Sequence, residues 1–238
     1  MEHAVFAQAT QFERQQTLYA IPKDRGDLPG LIGALGFRKD HPLIVLIGGH
    51  IHPEHADLTH SILRSVARTA QELGAMILSG GNHTGVLGPI GQIRAMENYD
   101  FPLVSVVPQE MPTWPGGPTI RQYLRQEDRR FDLASYYSHF ILVPEGRYGN
   151  EAAWIVDLAE ELAPRETSIS VLVNGVNVTR KEIQLNLQAK RKILALAGTS
   201  RLTNEFAIQP MRDPLIRVIP AADTDILART LRMELGWK

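Results

Sequence analysis

The sequence predicts an α/β protein built on a Rossmann-like, doubly wound and mostly parallel sheet with helices on both faces. Three observations lead to this fold class. Short apolar runs such as Leu43–Ile47 (L-I-V-L-I) show no polar alternation, as expected of strands buried on both faces. Stretches with helical periodicity separate these runs, and strand–helix alternation builds parallel sheets. Glycine-bearing turns follow several of the strands, at the edge where such sheets bind ligands.

Residues 1–40 hold no clear core strand, although Leu28–Leu35 can form a short helix closed by Gly36. Leu43–Ile47 is the first strand, and Asp57–Leu73 reads as a helix ending at Gly74, a residue suited to the left-handed turn of a helix terminus. Strand Ala75–Ser79, helix Gly85–Glu97 and strand Leu103–Val107 follow. Strand His139–Val143 then leads into a helix from about Gly149 to Leu162. Ile169–Val173, Lys190–Leu196 and Ile216–Ile219 complete the strands, each with a helix after it. Residues 1–238 read as a single domain, with 1–40 an N-terminal extension. Residues 108–137 contain P-Q-E-M-P-T-W-P-G-G-P and a charged run, Arg121–Arg130, and form an insertion or lid.

Composition narrows the function. Hydrophobic residues make up 44% and charged residues 21%, enough for a full core. A net charge of -1 gives no general attraction to nucleic acid or an anionic membrane. Arg121, Arg125, Arg129 and Arg130 are interleaved with Glu127 and Asp128, which reads as a solvated mixed-charge face. With no cysteine there is no disulfide, thiol nucleophile or thiolate metal site. No signal-like N-terminus and no membrane-length apolar run are visible, so a cytoplasmic location is expected.

Four strand ends carry the chemistry. After Leu43–Ile47 comes Gly48-Gly49-His50, two glycines that suit close backbone approach. His50, His52, Glu54 and His55 are zinc-ligand types, but they lack the i, i+4 helical pair of a zinc protease. Hydrogen-bonding histidines are the better reading, and the sequence calls for no metal or cofactor. The second turn, L-S-G-G-N-H-T-G-V-L-G-P-I-G (78–91), is a glycine cluster between a strand and a helix. Gly80 and Gly81 can take positive φ, and Thr84 can cap the helix. With Asn82, His83 and Gly85 they suit a phosphate seat at a helix N-terminus, although a tight turn with close helix–strand packing would look the same. The third turn is Glu145-Gly146-Arg147-Tyr148-Gly149-Asn150-Glu151. Arg147 suits a phosphate, Tyr148 a base or ribose, and Glu151 is equally a helix-dipole partner or a catalytic carboxylate. The fourth, Gly198-Thr199-Ser200-Arg201, is a second anion cradle, although capping by Thr199 or Ser200 would look the same.

Taken as an ordered set, G-G-H near Gly48, S-G-G-N-H-T-G-V-L near Gly80, H-F-I-L-V-P-E-G near His139 and A-G-T-S-R near Gly198 resemble the prokaryotic SLOG domains. These are related to the N-terminal region of TRPM channels, and the likeness spans about residues 41 to 230. The channel regions carry a similar T-G-G-T-x-T-G-V-M loop and a later D-G-S-G-R turn. The resemblance implies a Rossmann-like fold that senses nucleotide-derived ligands such as ADP-ribose or its cyclic forms. The wider superfamily includes cytokinin-activating phosphoribohydrolases, which implies an alternative: cleavage of a nucleotide N-glycosidic bond by Glu151, with His83 as a second acid or base. Their P-G-G-x-G-T-x-x-E motif is here P-E-G-R-Y-G-N-E, with Glu145 in place of a glycine and Asn150 in place of threonine. The same resemblance implies a homo-oligomer, and a lone sensing domain calls for a separate effector protein.

Overall fold

A computed structural model describes residues 6–12, 15–39, 41–49, 51, 53–80, 85–109, 112–113, 131–147, 149–175, 177–199, 201–208 and 213–236. The strands are β1 (Phe6–Phe12), β2 (Gln15–Ile21), β3 (Leu43–Gly48), β4 (Met76–Gly80), β5 (Leu103–Pro108), β6 (Pro112–Thr113), β7 (Phe131–Asp132), β8 (His139–Val143), β9 (Ser168–Val173), β10 (Lys192–Ala197) and β11 (Ile216–Pro220). The helices are α1 (Leu28–Ala34), α2 (Ala56–Leu73), α3 (Leu87–Met96), α4 (Glu151–Leu162), α5 (Asn177–Gln188), α6 (Arg201–Ile208) and α7 (Thr224–Glu234).

Nine strands form one sheet in the order β1-β2-β8-β5-β4-β3-β9-β10-β11. All neighbours are parallel except β1, which forms an antiparallel hairpin with β2. From β3 the chain winds outward through β4, β5 and β8 on one side and through β9, β10 and β11 on the other. The order therefore switches between β3 and β9, where doubly wound sheets open their ligand crevice.

The sheet divides two apolar layers. Ile62, Leu63 and Val66 of α2, Ile90 and Ile93 of α3, and Leu227 and Leu231 of α7 fill one face. Leu31 of α1, Trp154 and Leu158 of α4, Ile183 of α5 and Phe206 of α6 fill the other. The predicted strand–helix order holds throughout, and α2 ends at Gly74 with φ 59°. The N-terminal segment departs from expectation, because β2 joins the sheet beside β8, pairing Leu18 with His139 and Ala20 with Ile141. This strand lies next to the edge and buries Thr17, whose hydroxyl donates to the Tyr137 carbonyl at 3.0 Å, so no continuous apolar run marks it. Among the described residues no helix is long and apolar enough to cross a membrane.

Candidate functional site

At the switch point, Gly48 ends β3 against β9. A Cβ on Gly48 would overlap the Val86 Cγ2 methyl and come within 2.8 Å of the Val173 carbonyl oxygen. The missing side chain thus admits Val86 from the turn before α3, rather than a ligand. The Val86 N–H donates to the Gly49 carbonyl at 3.3 Å and ties that turn to the end of β3. Gly85 has φ 64°, outside helical space, so α3 begins only at Leu87 and its N-cap position falls on Val86. Thr84, the predicted cap, lies outside the described residues. Val86 makes no side-chain cap bond to the first turn of α3.

Tyr137 pins this helix end to the sheet. Its buried hydroxyl donates to the Leu87 carbonyl at 3.0 Å and lies 3.1 Å from the Ser79 hydroxyl at the end of β4. Burial pushes the phenol above its ordinary pKa, so it stays neutral. Gly91, one turn further along α3, packs so closely that a Cβ would collide with the Ser135 carbonyl oxygen. The expectation that Gly80 takes positive φ is not met, since strand pairing holds it extended beside Val106 of β5. A Cβ on Gly80 would meet only Leu87 Cδ1 at 3.8 Å and Glu151 Oε1 at 3.9 Å, which is ordinary contact.

Glu151 is a buried carboxylate at this edge. It opens α4, is 4% exposed, and accepts the Gly149 N–H at Oε2 over 2.6 Å. Gly149 reaches that position with φ 92°. Burial raises the Glu151 carboxyl to about 7, opposed by backbone N–H groups and Lys181 and reinforced by Glu145. Lys181 of α5 donates from Nζ to the Gly149 carbonyl at 3.2 Å and clamps the loop from above. Glu145 accepts the Trp154 indole N–H at 3.1 Å, so this carboxylate is committed to holding the loop on α4. Gly146 and Arg147 are exposed. Glu182, on α5, lines a small cavity with Val45, Ile47, Ala152 and Ile155. Burial and the neighbouring Glu151 raise its carboxyl too.

The turn after β10 is more structural than expected. Thr199 is fully buried, and its hydroxyl donates to the Leu196 carbonyl and accepts the Asn174 N–H, both at 2.9 Å. That hydroxyl joins the ends of β9 and β10 and is not available to a ligand. Gly198 is exposed, with φ 102°, and its N–H is taken by the Asn204 side chain at 2.7 Å. Arg201 opens α6.

Of the expected site residues, Gly48, Gly49, Gly80, Gly85, Glu145, Gly146, Arg147, Gly149, Glu151, Gly198, Thr199 and Arg201 all lie at the carboxyl edge of the sheet. His50, Gly81, Asn82, His83, Thr84, Tyr148 and Ser200 lie outside the described residues, as do most of 108–137. Among the described residues no group of three or more histidines and carboxylates could hold a metal. Sequence reasoning passed over the turn after β9, where Asn174 (φ 63°) and Gly175 (φ 131°) sit at the switch point itself. An Asn-Gly pair following an apolar strand was the available signal. Lys181 and Glu182 carried no local signal, because only the packing of α5 on α4 brings them to Glu151.

Comparison with known proteins identifies the family and supports the fold. The family model described as SLOG in TRPM, prokaryote, matches residues 41–232. The chain is 25% identical over 237 residues to rat transient receptor potential cation channel subfamily M member 4, covering 81% of this chain and 20% of the channel. It is 32% identical over 106 residues to mouse subfamily M member 2, covering 36% of this chain and 7% of that one. The chain thus spans a fifth or less of these relatives. Among solved structures, the molybdenum cofactor carrier protein of Chlamydomonas reinhardtii matches with TM-score 0.55 and 16% identity, covering 84% of this chain and 99% of the other. The molybdenum cofactor binding protein of Rippkaea orientalis gives TM-score 0.54 and 13% identity over 81% and 96%. At such identities the likeness establishes the fold.

Proposed function

The chain belongs to the prokaryotic family of SLOG domains in TRPM, and from that premise we propose that its carboxyl edge binds a nucleotide-derived, phosphate-bearing ligand of the ADP-ribose class. The carrying observation is the contrast between two helix ends at one edge. The α4 end already holds a carboxylate, Glu151. The α3 end has no capping side chain at its N-cap, yet Tyr137 and the Gly49 carbonyl hold it rigidly in place. An anion at α3 would meet oriented N–H groups at a helix end where Val86 makes no side-chain cap bond. Arg147 is exposed beside the same edge and supplies charge for a second phosphate.

One observation favours a second reading, N-glycoside hydrolysis. A buried carboxyl with a pKa of about 7 is half-protonated at neutral pH. It can give a proton to a departing base and take one from attacking water. Its Oε1 approaches the end of β4, where the ligand's sugar would lie.

The test is calorimetry with AMP, ADP-ribose, cyclic ADP-ribose, NAD and the molybdenum cofactor, followed by product analysis. Saturable binding of an intact nucleotide supports sensing. Release of free base, abolished in Glu151→Gln, supports hydrolysis. Absence of binding across the panel overturns both. The expected homo-oligomer is tested by light scattering of the same samples.

A further inference from the structure

The opposite end of the sheet carries a second cavity, about 140 Å³ in volume, which the reading above does not use. Met76 and His139 begin β4 and β8, whereas the crevice lies beyond the last residues of the same strands. Four peptide units of extended chain, on the order of 13 Å, separate the two.

The walls are graded in chemistry. Leu35, Phe37 and Met76 are buried and form an apolar floor. Phe37 meets the His139 ring edge-on, with centroids 4.6 Å apart, so one wall is aromatic. Ordinary interiors are packed to the size of a water molecule, and a cavity of roughly 150 Å³ takes one benzene ring. This space therefore has the dimensions of a single six-membered ring.

The rim is basic. Arg38 is exposed at the mouth, and no carboxylate pairs with it among the described residues. His41 also lines the cavity, its Nδ1 3.2 Å from the Gly74 carbonyl. Arg94 stands close enough to His139 to act on it electrostatically, with Asp100 partly offsetting that charge. The C-terminal ends of α1 and α2 would oppose an anion, and some of their last-turn carbonyls are engaged. Phe37 N–H bonds to the Ile32 carbonyl at 2.9 Å and Ala75 N–H to the Ala70 carbonyl at 2.8 Å.

His139 adds a directional group. The Leu103 N–H donates to Ser138 Oγ at 2.8 Å, and the Ser138 hydroxyl donates to the Leu103 carbonyl at 3.0 Å. His139 Nδ1 lies 2.8 Å from Ser138 Oγ, and the ring also bonds to the Leu35 backbone, so the imidazole is held in a fixed orientation at the cavity wall.

We propose that this cavity is a second binding site, separate from the nucleotide crevice, for a one-ring aromatic carboxylic acid. The ring would lie on the Phe37–Met76 floor and the carboxylate at Arg38. No residue of the first site is shared, so the two readings stand or fall separately.

The experiment is a ¹H–¹⁵N titration of the full 238-residue chain with sodium benzoate, and with benzyl alcohol as its neutral counterpart. Expected are saturable shifts at the amides of Gly36, Phe37 and Gly74. Arg38→Gln, an exposed change, should weaken benzoate about tenfold and leave benzyl alcohol unchanged. No saturable shift at those amides, or equal benzoate affinity in Arg38→Gln, overturns the proposal.

Discussion

Replacing Glu151 by glutamine should make the protein more stable at alkaline pH than the unchanged chain. Glutamine keeps an oxygen to accept the Gly149 N–H but carries no charge into the buried position. The carboxyl has an ordinary value of 4.5 and is raised to about 7 in the fold. A raised carboxyl pKa means that the folded state binds the proton more tightly than the unfolded chain. Its contribution is fully present below pH 4.5 and is lost as pH rises through about 7. At 1.36 kcal/mol per pH unit the whole loss is at most about 3 kcal/mol. Urea unfolding of both proteins between pH 4 and 9, followed by circular dichroism, gives the difference directly. Titrations common to both chains cancel, and relief of Glu182 from its charged neighbour only adds to the effect. Glu151→Gln should gain on the unchanged protein by about 2–3 kcal/mol across this window. A difference that stays flat with pH would refute the reasoning, since Glu151 would then ionise as easily folded as unfolded.

The two strand-end glycines should behave oppositely. Gly48→Ala must displace Val86 or the Val173 carbonyl and should cost about 1–3 kcal/mol in chemical unfolding. Gly80→Ala meets only ordinary contacts, so stability should change little while nucleotide affinity falls, if the ligand approaches that backbone. Tyr137→Phe removes the hydroxyl shared by Leu87 and Ser79 and should cost about 1–3 kcal/mol, read from the urea midpoint. His139 is lowered from 6.5 to about 4, chiefly by burial and then by Arg94. Its contribution is present above pH 6.5 and lost as pH falls toward 4, by at most about 3 kcal/mol. A histidine NMR titration that gives an ordinary value for His139 would exclude this.

The parallel core was legible because burial on both faces leaves a mark that needs no partner. Leu43–Ile47 is apolar at every position and Leu103–Val107 at every position but Ser105, and each lies inside the sheet. The N-terminal strand was missed for the converse reason. In β2 the buried Thr17 satisfies its hydroxyl on Tyr137, 120 residues away, and no local pattern records that bond. Glycine was legible as a signal of tight backbone but not of its cause. Gly48 and Gly91 make room for Val86 and for the Ser135 carbonyl, whereas Gly80 leaves space beside Glu151. The same letter therefore serves packing at two positions and openness at the third.

The same ambiguity bears on Glu151. An acid in the first turn of a helix is ordinarily worth a few tenths of a kcal/mol as a dipole partner and stays ionised. Here burial outweighs the helix end, the Gly149 N–H and Lys181 together, because the carboxyl ends higher than it began. A residue meant only to cap α4 would do so more favourably in solvent, with its charge intact. Glu151 instead lies under the Gly149 turn, facing Gly80, with a second raised carboxyl on α5. That placement costs stability at neutral pH and holds a proton on a buried carboxyl at the sheet edge, as the proposed N-glycoside hydrolysis requires.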